Sequence, residues 1–272
     1  MLKLVVAAFL LIPVFASGAY AASVFPALGP PAAFLVPASG VSAAAAESSH
    51  TANPGLPSLD DDDAYLDQVG QSIADPLEGF NRAAFAFNDF MLESVGRPLY
   101  DGYSFVTPEF MRTGISNFFY NLNFPVRFVN NLFQGKPLAA GVEMSRFILN
   151  STAGLGGLID VAGNMETVVP VEDEDTGQTL GTWGVGEGFY IVWPLLGPKT
   201  LRDTIGLGGD YLFSPTTWIE PWEVVVGLSV TAVFNDLGDI LDLYDQLKQG
   251  AVEPYSSVRD AYVQYRRAKI LE

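Results

Sequence analysis

The side chains in this sequence that could do chemistry are mostly carboxylates, in two runs. Gly177 follows the run Glu172–Asp175, as in a calcium loop, but the twelfth loop position is Trp183 instead of the bidentate Glu. Paired carboxylates could also act as acid and base, although so clustered a run predicts an exposed, solvated loop more than an active site. Asp60–Asp63 lacks the spacing of metal ligands, so no metal site is predicted.

The composition argues against several other chemistries. The chain contains no Cys, which excludes disulfides, thiolate zinc sites and cysteine nucleophiles. Its single histidine, His50, lies in low-complexity sequence, which argues strongly against a Ser-His-Asp relay in a folded core. The spacing of Gly184, Gly186 and Gly188 does not match the dinucleotide-binding fingerprint, so no cofactor is predicted. Together these observations favour a protein that is not an enzyme.

The charge and the hydropathy of the chain need a joint explanation. The net charge is -17 and Lys plus Arg number only 14, which makes nucleic acid a poor partner. Hydrophobic residues nevertheless make up 49% of the chain. That fraction is high for an acidic soluble protein, and the N-terminus explains only part of it.

Three regions follow from the composition along the chain. Residues 1–21 contain Lys3, an apolar run and an A-x-A site, which predicts a removed signal peptide and export. The apolar run is too short for a membrane anchor and contains Pro13. Residues 22–72 are rich in Ala, Pro and Ser and then in Asp, which predicts a disordered tether. Residues 73–272 have the length of a single folded domain.

The stretch "DPLEGFNRAAFAFNDFMLESVGRPLY" predicts an amphipathic helix. Asp75 suits its N-cap, Pro76 the first helical position and Glu78 the third. The apolar face comprises Phe80, Ala83, Ala84, Phe87, Phe90, Met91 and Val95, and the polar face comprises Glu78, Asn81, Arg82, Asn88, Asp89 and Glu93. Phe85 and Leu92 interrupt the polar face. This pattern alone suits both a core helix and a helix that faces something other than water.

Proline also marks the next helix starts. Pro108, Pro125 and Pro137 each stand at a predicted first helical position, and Gly135 suits the C-terminal cap of the middle helix. The chain is thereby divided into short helices, which is not the pattern of a long up-and-down bundle.

The second half of the chain reads differently. The segment from Gly154 to Pro221 is rich in glycine and aromatic residues without sustained helical periodicity, and it predicts an irregular insertion. A longer helix is predicted from there to about Gln249, and its apolar run "VVVGLSVTAVF" is too short to span a bilayer. Pro254 begins the second member of a C-terminal helical pair.

Six motifs resemble, in the same order, motifs of the MlaA family, also called VacJ. They are DPLEGFNR, GISNFFYNL, NNLFQGKP, RFILNSTAGLGGLIDVA, TLGTWGVGEGFYIVWPLLGPKTLRD and EPYSSVRDAYVQYR, and they extend from Asp75 to about Arg266. The resemblance implies a mainly α phospholipid-transport protein of the Gram-negative outer membrane. Its short amphipathic interfacial helices would form a ring in the periplasmic leaflet around a polar passage.

The resemblance also implies function and partners. Phospholipids misplaced in the outer leaflet would pass through the ring to a soluble periplasmic lipid carrier, which maintains outer-membrane lipid asymmetry, and a porin trimer would hold the ring. A non-transporting scaffold or porin-binding protein is the alternative, because both roles need the same apolar exterior. Many family members are anchored through a lipidated Cys, and since this chain has none, we expect retention by the apolar exterior and by porin contact.

Three groups of site residues follow from the helix faces and the resemblance. The passage is predicted to involve Asn81, Arg82, Asn88, Gly184, Gly186 and Gly188. The lipid-facing belt is predicted to comprise Phe80, Phe87, Phe90 and Met91, and a carrier-docking face to comprise Arg259, Tyr262 and Arg266. Two alternatives stay open: the glycine segment 181–188 is either a mobile gate or a set of tight turns, and the basic face either docks a partner or pairs with the acidic body.

Overall fold

The computed structural model of the chain describes residues 72–166, 168–249 and 251–271. The predicted signal peptide, nearly all of the predicted tether, His50 and the acidic run at 60–63 lie outside the described residues. The described part is mainly α, as predicted. Its elements are α1 (Glu78–Met91), α2 (Arg97–Val106), α3 (Glu109–Leu122), α4 (Phe124–Phe133), α5 (Pro137–Thr152), α6 (Thr176–Thr182), β1 (Tyr190–Trp193), β2 (Gly197–Thr200), α7 (Leu201–Phe213), α8 (Trp222–Gln249) and α9 (Pro254–Leu271).

The start of α1 differs from the prediction. Its first residue is Glu78, and Asp75 does not cap it through its side chain. The Asp75 carboxylate instead accepts hydrogen bonds from Asn81 Nδ2 at 2.8 Å and from the hydroxyl of Tyr255 on α9. A tertiary contact has therefore taken the side chain that the local sequence pattern assigned to the cap. A π-helical turn, Leu92–Gly96, then connects α1 to α2, so the helical path is longer than predicted.

The proline-marked helix starts are confirmed to within one residue, and of the three prolines Pro137 alone is the first helical residue. Pro108 directly precedes α3, Pro125 is the second residue of α4, and Pro137 is the first residue of α5. Gly135 has φ +74° just after α4, and its N–H donates to the carbonyl of Leu132 at 3.0 Å. A left-handed residue at this position favours glycine, so the predicted C-terminal cap is correct.

The segment 154–221 is more regular than predicted. It contains α6, the antiparallel β1–β2 hairpin and the thirteen residues of α7. The hairpin register runs from Tyr190 opposite Thr200 to Trp193 opposite Gly197. Thr200 then caps α7, because its side chain accepts a hydrogen bond from the backbone N–H of Asp203 at 3.0 Å.

Close helix packing explains why α7 was missed. A Cβ added at Gly206 would lie 2.5 Å from the backbone nitrogen of Gly177, and one at Gly209 would lie 2.5 Å from the Thr176 side chain. These glycines therefore let α7 approach α6 closely. In the sequence they resemble loop residues, although they form a helix contact.

The predicted C-terminal helical pair is confirmed as α8 and α9. By length and composition α8 could cross a membrane, and 44% of its most apolar 18-residue stretch is buried in the protein. The prediction that this region is too short to span a bilayer therefore holds only for the run VVVGLSVTAVF and not for the whole helix. Charge divides the helix, since Glu223 is the only charged residue before Asp236. The second half then carries Asp236, Asp239, Asp242, Asp245 and Lys248.

Contacts between the helices close a circuit. α8 packs on α3 and α9, α3 packs on α4, α4 packs on α6, and α6 packs back on α9. A ring requires such a circuit, and the ring itself stays a prediction. One apolar core cluster lies where α1, β1 and α9 meet, with Phe85 packed against it. Its buried members are Ile73, Ala84, Tyr190, Val192, Tyr255, Tyr262 and Val263.

Candidate functional site

α1 turns three of its four phenylalanines away from the protein, and only Phe85 packs against the core. Phe80, Phe87 and Phe90 are 51%, 43% and 59% exposed, whereas Asn81 and Ala84 are buried. A helix of a soluble domain normally has the opposite arrangement, because burial of the large apolar side chains is what stabilises it. The structure thus answers the question that the sequence left open, since α1 presents its apolar face outward. Met91, the fourth predicted belt residue, is half-buried.

Amide side chains form the inner face of α1. Asn81 is fully buried, donates to the carbonyl of Tyr190 at 3.0 Å and accepts from the N–H of Val192 at 2.8 Å. Asn88 donates to the carbonyl of Trp193 at 3.0 Å, at the other end of β1. Both amides hold the hairpin against α1. The passage-lining role predicted for Asn81 disagrees with its complete burial.

The other predicted passage residues lie in different surroundings. Arg82 is exposed and forms ion pairs with Glu78 at 2.7 Å and Glu253 at 3.0 Å. Gly184 and Gly186 lie in an exposed loop, and a Cβ added to either would meet nothing within 4 Å. The six predicted residues therefore share no common set of contacts.

The loop formed by the glycine segment 181–188 (the glycine loop) begins at the C-terminal cap of α6. Gly184 has φ +87° and donates its N–H to the carbonyl of Gly181 at 2.8 Å, which is the geometry of a tight turn. Trp183 anchors the same turn, because its indole Nε1 donates to the carbonyl of Phe133 at 2.9 Å. At the far end, Gly188 has φ +75° and packs on Leu201. The ends of the loop are thus fixed turns, and mobility between them stays a prediction.

The predicted carrier-docking face is largely inaccessible. Tyr262 and Arg266 are only 7% and 4% exposed. Arg266 pairs with Asp175 at 2.6 Å and with Asp203 at 2.8 Å, and Tyr262 donates to Asp203 at 2.8 Å. The side chain of Arg259 is also paired and mostly covered. The docking prediction is wrong for Tyr262 and Arg266, and the alternative, pairing with the acidic body, is what the structure has.

The acidic run Glu172–Asp175 is neither a solvated loop nor a catalytic pair. Glu174 is buried and only Glu172 is exposed. Burial raises the pKa of Asp173 and of Glu174, while the neighbouring cations oppose that rise. The run collects cations from two helices, α4 and α9, and from the link after α4. The pairs are Glu172 with Lys269, Asp173 with Arg127, Glu174 with Lys136 and Asp175 with Arg266.

Polar stripes on α4 and α5 were missed by the sequence reading. Arg127 Nε donates to Glu143 at 2.9 Å, and its guanidinium lies 3.6 Å from the ring centre of Tyr120. Burial raises the pKa of Glu143, with the charge of Arg127 acting in the opposite direction. The sequence signal that could have found these stripes is their spacing, because the buried polar residues recur every three or four positions on each helix. The stripes comprise Arg127, Asn130 and Asn131 on α4 and Glu143, Arg146 and Asn150 on α5.

Asp210 on α7 lies at the centre of a further buried network. It accepts hydrogen bonds from the backbone N–H and the hydroxyl of Thr176, at 2.8 and 2.7 Å. Asn130, which contacts Asp210 at 3.5 Å, also accepts from Thr179 at 2.8 Å. Burial, together with the charge of Asp175, raises the pKa of Asp210 to about 7. This network connects α4, α6 and α7 through polar groups instead of an apolar core.

Lys199 on β2 is another buried cation in this region. Burial and the neighbouring Arg266 lower its pKa to about 8. Its ammonium group lies 5.9 Å from the ring centre of Tyr262. Within the described ranges no group of three or more His, Cys, Asp or Glu side chains could hold a metal ion.

The described residues as a whole have an apolar exterior and a polar interior. Among them, buried polar or charged side chains outnumber buried apolar ones, while many large apolar side chains are exposed. Four of the most exposed are Phe105 at 90%, Leu138 at 87%, Phe110 at 76% and Trp218 at 73%. Exposed aromatic surface of this extent marks contact with a membrane or with a protein partner.

Comparison with known proteins agrees with this picture. Residues 73–269 match the family described as "MlaA lipoprotein". The "Intermembrane phospholipid transport system lipoprotein MlaA" of Shigella flexneri is 39% identical over 200 residues, which are 73% of this chain and 78% of that protein. The proteins of the same name in Escherichia coli and Haemophilus influenzae are 38% and 34% identical over 200 residues, or 73% and 72% of this chain and 78% and 79% of theirs.

A solved structure is similar to this fold. It was described under the words "Structural basis for maintenance of bacterial outer membrane lipid asymmetry" and is 37% identical in sequence, with a TM-score of 0.64. The match covers 72% of this chain and 99% of that one.

Proposed function

The chain belongs to the MlaA lipoprotein family, and we propose that it serves phospholipid transport at the bacterial outer membrane. The relatives carry phospholipid transport in their names, and the solved neighbour concerns outer-membrane lipid asymmetry. One observation on this chain carries the proposal: large apolar side chains face outward while charged and amide side chains are buried. A lipid environment stabilises such an arrangement, because acyl chains cover the apolar surface that water would not.

The transport proposal has a specific path. The helices form a ring in the periplasmic leaflet, and phospholipids misplaced in the outer leaflet pass through it to a soluble periplasmic carrier, with a porin trimer as the ring's support. The closed circuit of helix contacts and the polar stripes on α4 and α5 support a polar interior suited to headgroups. Gly184 and Gly186, exposed and without close neighbours, suit a flexible rim. The sequence contains no nucleotide-binding motif, so the direction of transport follows from partners or from relative affinities.

The belt that contacts lipid begins with Phe80, Phe87 and Phe90 on α1. It continues through the corner between α2 and α3, where Phe105 and Phe110 are exposed. These residues need no partner side chain in the described structure if acyl chains cover them. They therefore set the membrane association on which transport depends.

The amount of phospholipid in the outer leaflet of the outer membrane reports on the proposed activity in cells. A membrane-impermeant amine-reactive reagent labels phosphatidylethanolamine at the cell surface, and we expect more labelling in a strain that lacks the protein. Expression of the wild-type chain should restore the low level. Equal labelling in the two strains, together with altered porin abundance, would show a scaffold without transport.

A further inference from the structure

α3 carries a cation that the rest of the described fold does not use. The Arg112 guanidinium forms no salt bridge and no side-chain hydrogen bond with the described residues; it lies 5.8 Å from the ring centre of Tyr100, and its charge acts on the nearby Tyr103. Every other Arg in ranges 72–166, 168–249 and 251–271 forms a salt bridge with a carboxylate of the protein. Even the exposed Arg82 has two carboxylate partners. A guanidinium offers five N–H donors in a fixed fork, so an unused one is available to an anion from outside the chain.

The position of Arg112 is fixed by the junction of α2, α3 and α8. Its backbone carbonyl accepts from Asn235 Nδ2 at 3.0 Å, and the Asn235 Oδ1 accepts from the hydroxyl of Tyr103 at 2.7 Å. Tyr100 is held where α8 has Gly238, since a Cβ there would lie 2.2 Å from the Tyr100 hydroxyl. The half-buried arginine is therefore held at a hydrogen-bonded junction of three helices.

Apolar surface lies on one side of this junction. Phe105, Val106 and Phe110, at the corner between α2 and α3, are 90%, 72% and 76% exposed. The first half of α8 adds exposed Trp222 and Val230. That half has one charged residue in its thirteen positions before Asn235, at its second position, and at ~1.5 Å per residue it is about 20 Å long. It could cover one leaflet, about half of a ~30 Å hydrocarbon core, without crossing the bilayer.

Acidic surface begins on the other side. Asp236 directly follows Asn235, and the remaining carboxylates of α8 come after it. Asp236 accepts from the Ser116 hydroxyl at 3.5 Å and forms no ion pair with Arg112 within 4.0 Å. The free guanidinium is thus placed where apolar surface gives way to acidic surface. In a leaflet this is the level of the lipid phosphates.

We propose that Arg112 binds the phosphate of a membrane phospholipid whose acyl chains cover the α2–α3 corner and the first half of α8. The guanidinium and a phosphate form paired, charge-assisted N–H···O bonds. The lipid is a component of the leaflet, because a free phosphate ion would make no use of the adjoining apolar surface. This inference rests on the proposed membrane function and adds to it a specific headgroup contact.

Flotation with vesicles tests the contact. The full chain is incubated with vesicles of phosphatidylethanolamine and phosphatidylglycerol, and in parallel with vesicles of galactosyl diacylglycerol, which lack phosphate. Arg112→Gln should weaken partitioning into the phospholipid vesicles about fivefold and leave partitioning into the galactolipid vesicles unchanged. Arg97→Gln, the matched control, removes another half-buried arginine that already has carboxylate partners, Glu93 and Asp245, and should change neither. Arg112→Lys should restore part of the loss, because it keeps the charge without the fork.

Several results would overturn the contact. One is equal partitioning of wild type and Arg112→Gln on phospholipid, and another is an equal loss on both vesicle types. A third is binding of inorganic phosphate that is lost in Arg112→Gln while partitioning into phospholipid vesicles is not lost. That result would indicate a site for a free anion. Arg112→Lys supplies the comparison if Arg112→Gln does not fold. Failure of the proposed function looks different, because Phe110→Glu and Val230→Glu would then also leave flotation unchanged.

Discussion

Replacement of Arg266 by Gln tests whether the basic residues of α9 stabilise the fold or dock a partner. The Arg266 guanidinium is almost fully buried and contacts Asp175 at 2.6 and 2.9 Å and Asp203 at 2.8 Å. Its removal takes the nearest cation from both carboxylates and leaves buried Asp203 with only the more distant Arg202, at 3.6 Å. Loss of one partner of a buried ion pair costs about 3–5 kcal/mol, so we expect the free energy of unfolding to fall by that order at neutral pH.

The pH dependence of this loss has a definite sign. Burial raises the pKa of Asp203, but the charge and hydrogen bond of Arg266, together with Arg202 and Tyr262, outweigh burial and hold that pKa well below its usual range. A depressed pKa contributes stability above the unfolded-state pKa of about 4 and loses it as the pH falls. Without Arg266 burial is opposed only by Arg202 and Tyr262, and the variant is penalised most at neutral pH. The difference between wild type and variant should therefore shrink as the pH falls towards 4.

Denaturant unfolding in detergent, followed by circular dichroism, measures both quantities. Arg82→Gln is the control. Arg82 is exposed and pairs with Glu78 at 2.7 Å and with Glu253 at 3.0 Å, and such surface pairs contribute little to stability. If Arg266→Gln unfolds as wild type does at neutral pH but no longer binds the carrier, the structural reasoning is wrong and the docking role is right.

Three further predictions concern α6, α7 and the glycine loop. Gly206→Ala should destabilise the fold by about 1–3 kcal/mol, because its Cβ would lie 2.5 Å from the backbone of Gly177. Gly208→Ala, whose Cβ would meet nothing within 4 Å, should stabilise the fold by up to about 1 kcal/mol. Equal denaturant midpoints for the two variants would refute the helix contact. The raised pKa of Asp210, about 7, should make stability fall as the pH rises from about 4, and Asp210→Asn should remove that slope in pH-dependent melting; an unchanged slope would assign it to other groups. Amide hydrogens of Gly186 and Glu187, beyond the hydrogen-bonded turn that ends with the Val185 N–H, should exchange faster than those of α1, and exchange as slow as in α1 would establish rigid turns.

The sequence predicted helices well where termination signals are local. Pro125, Pro137 and Gly135 act through backbone conformation, which a neighbour elsewhere in the chain does not change. α7 could not be predicted on that basis, because Gly206 and Gly209 serve a contact with α6 that exists only after folding. The cap of α1 failed for a related reason, since Asp75 bonds to Asn81 and Tyr255 instead.

The site was harder to predict than the fold. A helical wheel separates the two faces of α1 but does not say which one is inside, and the amides of Asn81 and Asn88 took the inner side by bonding to the hairpin. Basic residues of α9 looked available because their carboxylate partners, Asp175 and Asp203, are distant in sequence. The polar stripes on α4 and α5 recur at helical spacing in the sequence, but spacing alone does not say which face of a helix is buried.

Membrane flotation of Phe87→Glu tests the central claim most directly, namely that the apolar exterior lies against lipid. A charge placed on an acyl-facing position costs about 2–3 kcal/mol, so we expect the membrane-bound fraction to fall more than tenfold. Asn88→Glu is unsuitable as the control because Asn88 holds the hairpin. Val252→Glu places the same charge at a fully exposed apolar residue, 104% exposed in the link between α8 and α9, and should leave flotation unchanged. Equal flotation of the two folded variants would contradict the claim.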